Sequence, residues 1–380
     1  MKKLIIICLD SFKYEYLKKT EFLKKFAEDN QYGKLQPIFG YTGITISLLT
    51  GKTPEEHGIF TSMKFSRNSN LRGYGIFSVF DNTFFEKSVR MMINLHFNMM
   101  NFLKKKKLYK IPPCIPISKI KYFDFSQREN FYDKNAFKFP SLFDYLRKNK
   151  INFSYNEWPI HATSKKRKID FFMNNDKNKV KKLLKRIKKY PVTWVHLWDL
   201  DTITHKYGPD SKEVEKKIKE IDKTCERIIT SNKNANFLFW SDHGMVPIKE
   251  IINIKKEVDL KDCLYFLDST LVRFWFNSKE QKVRIAEQLK KLPGKILTEK
   301  DMKKLNVNFE DNQYGDLIFL ANPGVLIFPN FWNKYTPEKS MHGYIPDIEE
   351  QQGFYILTKK NGKKDMKITN LLKELISFLE

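Results

Sequence analysis

Asp10, Asp201, Asp242, His205, His243 and His342 are residue types that hold divalent cations, and each lies beside an apolar run that reads as a strand. Asp10 ends the run over 4–9. Asp201 and His205 follow residues 193–198, Asp242-His243 follows 237–240, and Ser340-Met341-His342-Gly343-Tyr344 precedes 353–357. The whole chain holds seven histidines, so three of them at such positions stand out against the background. Asp201 and His205 are spaced i, i+4, which on a helical turn puts carboxylate and imidazole on one face. Asp242 and His243 are adjacent; in an extended or turning backbone they point to opposite sides and could serve two different ions. Mixed oxygen and nitrogen donors suit Zn²⁺ or Mn²⁺ rather than a thiolate site. A pair of such ions calls for an activated nucleophile or water at the same place.

Donors so far apart in sequence need a scaffold that gathers them. Alternating strand and helix signals predict an α/β fold with a mostly parallel sheet, in which functional groups collect beyond the carboxyl ends of the strands. The patterning predicts strands over 3–9, 151–155, 193–198, 237–240 and 353–357. It predicts helices over 14–29, 42–49, 86–105, 141–149, 177–189, 211–230 and 368–379, the second stopped by Thr50-Gly51 and Pro54. Residues 64–135, rich in Phe, Met, Asn and Lys, carry an extended stretch over 122–125. Residues 264–335 read as strand (265–276), helix (280–292), strand (316–327). The expectation is one catalytic domain over 1–380, with segments of about 64–135 and 250–335 inserted as a cap or lid.

The motifs also occur in a familiar order. Asp10, Thr42 to Thr50-Gly51, Pro54-Glu55-Glu56-His57-Gly58, Asp201-x-x-x-His205-x-Tyr207-Gly208-Pro209, Ser241-Asp242-His243-Gly244-Met245 and His342-Gly343 together resemble the alkaline phosphatase superfamily. Within it they are most similar to the type I phosphodiesterase/nucleotide pyrophosphatase branch, over residues 1–60, 190–245 and 335–358. The resemblance implies an alkaline-phosphatase-like three-layer sandwich around two divalent ions, zinc foremost with manganese as the alternative. One ion would be held by Asp201, His205 and His342, the other by Asp10, Asp242 and His243. A nucleophilic hydroxyl would bridge toward the second ion and form a covalent phospho-threonine. Thr42 has the right hydroxyl and opens the predicted helix, whereas the family spacing, nine residues back from Thr50, lands on Tyr41; Thr42 is the expected nucleophile and Tyr41 its rival. Thr45, where the branch usually has Asn, would give one hydrogen bond to the phosphate. The implied activity is hydrolysis of a phosphodiester or pyrophosphate bond in a small molecule. The alternatives are a phosphomonoesterase or phosphonate hydrolase of the same superfamily, or a non-catalytic basic binding module. No C/S-x-P-x-R context for a sulfatase nucleophile and no glycine-rich phosphate loop is present.

Composition bounds the rest. An apolar share of 41% with 15 Gly and 15 Pro excludes disorder and low-complexity architecture. The net charge of +25, from 69 Lys+Arg against 44 Asp+Glu, is spread along the chain, as on a solvated lysine-rich surface that also attracts anionic substrates. With no zinc finger, RNP-type strand or basic heptad region, specific nucleic-acid binding is not expected. Four cysteines without close pairing exclude a disulfide scaffold. The amino-terminal apolar run is shorter than the roughly 7–15 residues of a signal-peptide core, and a cytoplasmic location is expected. The segment 91–103, followed by Lys104-Lys105-Lys106-Lys107, has three readings: packing against the main domain, a lid, or a peripheral membrane contact.

Overall fold

The strand Leu4–Leu9 is the pivot of the molecule, and all six of its residues are buried. The computed structural model describes residues 2–157, 159–170, 173–360 and 362–380. In a nine-stranded sheet, Leu4–Leu9 lies between Asn236–Trp240 and Val192–Leu197, both parallel to it, and Phe153–Glu157 adds a further parallel strand beyond the latter. The flanks turn antiparallel. Gly353–Leu357 joins Asn236–Trp240 to Gln31–Gln36 on one side, and Ile160–Thr163 and Arg167–Ile169 extend the other.

Strand alternation makes the layers. Leu4, Ile6 and Cys8 pack with the helices Ile44–Thr50, Leu142–Lys148 and Leu371–Ile376. Ile5, Ile7 and Leu9 pack on the opposite face with Phe22–Glu28, Asp176–Ile187 and Lys212–Thr230. A β-branched strand buried on both faces is what a covered parallel sheet requires, and the result is the expected three layers with a sheet that is parallel at its centre.

Several elements depart from their predicted bounds. The helix expected over 14–29 is a 3₁₀ turn, Tyr14–Lys19, and a separate helix, Phe22–Glu28. The break is at Thr20, whose backbone is extended. The Asp222 carboxylate of the Lys212–Thr230 helix accepts hydrogen bonds from the N–H groups of Glu21, Phe22 and Leu23, so the second helix is capped from across the layer. The helix expected to open at Thr42 begins at Ile44, with Gly43 at its cap. Residues 265–276 fold as a hairpin, Leu264–Leu267 against Leu271–Trp275, and 316–327 splits into Leu317–Ala321 and Val325–Ile327.

Residues 63–125 and 252–331 share one apolar core. Met63–Phe65 pairs with Phe123–Phe125, and Val89, Ile93 and Phe97 from the helix Glu86–Leu103 pack with Phe266, Val272, Phe274 and Phe319 of a four-stranded sheet. Arg273, fully buried, pairs with Asp268 at 3.0 Å and donates through Nη1 to the Met63 carbonyl at 2.7 Å.

Candidate metal centre

Asp10, Asp242 and His243 reach the site from the ends of central strands, Asp201 and His205 from the helix behind one, and His342 from a two-residue strand outside the main sheet. The Asp10 N–H donates to the Leu197 carbonyl at 2.9 Å, which keeps the first strand in register to its last residue. The neighbouring strand, Val192–Leu197, runs into the helix Asp199–Tyr207, whose period puts His205 Nε2 3.4 Å from Asp201 Oδ1. That helix is anchored at its start. The Asp176 carboxylate accepts from the N–H groups of Trp198 and Asp199 at 2.9 and 3.0 Å, and Lys217 pairs with Asp199 at 3.0 Å.

His342 follows Ser340–Met341, which pairs with Val246–Pro247 just after Ser241-Asp242-His243. This small ladder stacks the His342 ring on His243, centroids 3.8 Å apart and planes 11° from parallel. His205 Nδ1 lies 2.9 Å from the Ser340 carbonyl, leaving Nε2 to face the site. His243 Nε2 is 3.5 Å from Asp10 Oδ1 and 3.6 Å from Asp242 Oδ2. The expectation that Asp242 and His243 point apart is therefore overturned. Both side chains reach the same side where the backbone bends after Trp240, within 3.6 Å of each other.

Two groups of donor atoms lying within 4.8 Å of one another are Asp201, His205 and His342, and Asp10, Asp201 and His243; Asp242 groups instead with Cys8 and His196. Asp201 thus stands between the two halves of the site. Two polar neighbours carry no sequence signal of their own. Ser11, at φ 60°, donates its hydroxyl to Asp201 Oδ1 at 2.6 Å and lies 3.3 Å from His243 Nδ1. His196, which reads as an ordinary strand residue, sits 2.8 Å from Asp10 Oδ2; it is paired in register with Cys8, two residues before Asp10.

The charges explain what the cluster wants. Burial, then repulsion from Asp242 and Asp201, push the Asp10 carboxyl up to about 7. Burial alone would raise Asp201 as well, but His205 holds it well below the usual carboxylate range, and Asp201 in turn raises His205 to about 9 against the cost of burial. His342 goes the other way: burial, with His243 and His205 beside it, pushes it well below its ordinary value, so its ring is neutral. Within the donor cluster, Asp10 Oδ1 and His342 Nδ1 are buried without a hydrogen-bond partner among the described residues. Orphaned buried acceptors amid crowded carboxylates are costly unless a cation meets them. The nitrogen and oxygen donors present fit borderline divalent ions.

The Tyr41-Thr42 segment lies alongside. The Tyr41 ring packs edge-on to His342 with centroids 5.5 Å apart. Its phenol oxygen accepts from the Thr270 N–H at 2.9 Å and hydrogen-bonds the Thr270 hydroxyl, and burial raises its pKa well above the ordinary value. Thr42 is half-buried, two residues before the Ile44–Thr50 helix, and Thr45 is the second residue of that helix. His57 is buried at the end of the following turn, bonded to Ser47 Oγ at 3.0 Å and away from the donors.

The same architecture occurs in solved structures. Murine ectonucleotide pyrophosphatase/phosphodiesterase 5, in an inactive form with a threonine replaced by alanine and AMP bound, superimposes with a TM-score of 0.70 at 16% identity, over all of this chain and 95% of that one. Its human counterpart gives a TM-score of 0.70 at 17% identity with the same coverage. The family model for type I phosphodiesterase/nucleotide pyrophosphatase matches residues 4–345, a span that takes in every donor described above. The chain belongs to the type I phosphodiesterase/nucleotide pyrophosphatase family, whose members are metal-dependent phosphodiester hydrolases.

Proposed function

We propose that the protein hydrolyses a phosphodiester or pyrophosphate bond of a small molecule through a covalent phospho-threonine at Thr42, in a site built for two divalent ions, zinc foremost. The observation that carries this reading is the linked cluster of Asp10, Asp201, Asp242, His205, His243 and His342, packed at His342 against Tyr41, the chain neighbour of Thr42. One ion would be held by Asp201, His205 and His342, the other by Asp10, Asp242 and His243 with Thr42 as a further ligand. Bound there, such ions offset phosphate charge and favour the deprotonated form of a coordinated hydroxyl.

The chain's own groups do the rest. The Thr42 oxygen forms a bond to phosphorus as the bond to the leaving alcohol or phosphate breaks, and the hydroxyl proton leaves with that product. Water then cleaves the Thr42–phosphorus bond and regenerates the hydroxyl. Thr45 gives one hydrogen bond to a phosphate oxygen, and Ser11 steadies Asp201. Tyr41 fits the nucleophile's role less well, because Thr270 already engages its phenol oxygen. The threonine-to-alanine form of the murine relative, inactive and with AMP bound, speaks for a threonine nucleophile and a nucleotide-like substrate.

The direct test is acid quenching during turnover of an aryl nucleotide diester, followed by peptide mass spectrometry. Phosphate or nucleotidyl mass on Thr42 is the expected result; label on Tyr41, or steady turnover with neither residue labelled, overturns the mechanism. The same diester should give a higher kcat/KM than its monoester.

A further inference from the structure

The helix Glu86–Leu103 is apolar on two faces. Its inner face, Val89, Ile93 and Phe97, is absorbed by the core that residues 63–125 and 252–331 share. Its outer face carries Met91, Met92, Leu95, Met99, Phe102 and Leu103 at helical spacing, and all of them are exposed, Leu95 by 71% and Met91 by 69%. Residues 91–103 contain no Asp, Glu, Lys or Arg. The segment leading into the helix adds Ile76 and Val79, each 74% exposed, and Phe84 at 93%. The outward side of a surface helix ordinarily carries charge, and a contiguous run of large apolar side chains in water marks a contact surface.

Cations frame the patch. Lys104 and Lys105 are exposed at the helix's carboxyl end, and Lys87 at its start. Between the helix, Pro112-Pro113 and Tyr335 lies a cavity of about 430 Å³ whose walls include Phe84 and Met91 together with Lys87, Lys110 and Lys334. Arg90, also in its wall, is already paired with Glu86 at 2.8 Å.

We propose that this face docks on an anionic lipid surface, with the helix lying in the interface plane. Its methionine, leucine and phenylalanine side chains enter the boundary between headgroups and acyl chains, and Lys87, Lys104, Lys105 and Lys110 meet the acidic headgroups. Among the described residues no helix is long and apolar enough to cross a membrane, so the contact is interfacial. The main rival, a second copy of this chain, would bring a +25 molecule against its like, with lysines flanking both apolar faces. An anionic bilayer offers the opposite charge as well as the apolar phase.

The test is co-sedimentation with vesicles of phosphatidylcholine, pure or mixed with phosphatidylserine, at low salt. The intact protein should bind the mixed vesicles about tenfold or more tightly than the pure ones, and lose binding as salt rises. Leu95→Glu with Met99→Glu should weaken binding by about tenfold or more while turnover of a soluble diester is unchanged. Lys104→Glu with Lys105→Glu should weaken binding to the mixed vesicles by about tenfold. Met92→Trp supplies a readout that does not depend on the fold of those variants: its fluorescence should be quenched by brominated lipid. No binding to mixed vesicles, binding that survives both double substitutions, binding without quenching, or a dimer in ultracentrifugation that Leu95→Glu dissolves would each overturn the proposal.

Discussion

Thr42→Ala removes the hydroxyl proposed to attack while leaving the six proposed Asp and His ligands in place. Turnover should fall by roughly 10²–10⁴-fold with the metal content unchanged, and Thr42→Ser should recover part of the loss. Thr45→Ala, which removes at most one phosphate hydrogen bond, should cost about 1–3 kcal/mol in kcat/KM. Tyr41→Phe deletes only the two hydrogen bonds with Thr270 and should leave most activity. Steady-state kinetics on the four variants separates these outcomes; a dead Tyr41→Phe beside an active Thr42→Ala would make Tyr41 the nucleophile. At this scale the sequence was legible wherever local geometry is regular. The i, i+4 pairing of Asp201 and His205 survives because both lie within one helix, Asp199–Tyr207. Asp242 and His243 broke the alternation rule where the chain bends after Trp240. Ser11 and His196 were invisible, since only the tertiary meeting of strand ends makes either one polar company for the donors.

The loop that carries His342 has little room to move. Gly343 holds φ +89°, and a Cβ added there would lie 2.5 Å from the Tyr41 ring. Gly343→Ala should therefore destabilise the protein by about 1–3 kcal/mol through a strained backbone. It should also lower turnover, because the displaced Tyr41 ring lies against His342. Urea unfolding together with kinetics checks both effects, and a variant with native stability and rate would show that Tyr41 does not brace His342. Elements with a clear hydrophobic period could be read from sequence, as the Lys212–Thr230 helix shows. The strand Gln31–Gln36 could not, because its inward positions are Gln31, Gly33 and Leu35, a set that reads as loop until the sheet encloses it. The split of residues 14–29 was equally hidden, since its cause is a carboxylate two hundred residues away.

For the molecule as a whole, two buried charge arrangements carry testable shares of the stability. Arg273 joins the Asp268 carboxylate to the Met63 carbonyl beside the apolar core that residues 63–125 and 252–331 share. Arg273→Ala leaves Asp268 buried and unpaired by its cation, so unfolding free energy should drop by about 3–5 kcal/mol; a drop under 1 kcal/mol in denaturant titration would contradict that account. At the donor cluster, chelation should lower the melting temperature as well as abolish turnover. Occupying each site at a hundredfold its Kd stabilises the fold by about 2.7 kcal/mol, and zinc or manganese should restore both properties. A melting curve and rate indifferent to chelator would remove the metal assignment.

The sheet order carries a consequence for synthesis. Gly353–Leu357 does not sit at an edge; it is inserted between Gln31–Gln36 and Asn236–Trp240. While the chain is emerging from the ribosome, the strand bearing Asp242-His243 has no partner on that side, and His342 has yet to be made. The candidate site is therefore completed late: pairings separated by more than three hundred residues close last and slowly. A chain cut before His342 lacks one proposed ligand of the first ion and the strand that backs Asn236–Trp240, and should show no diester turnover.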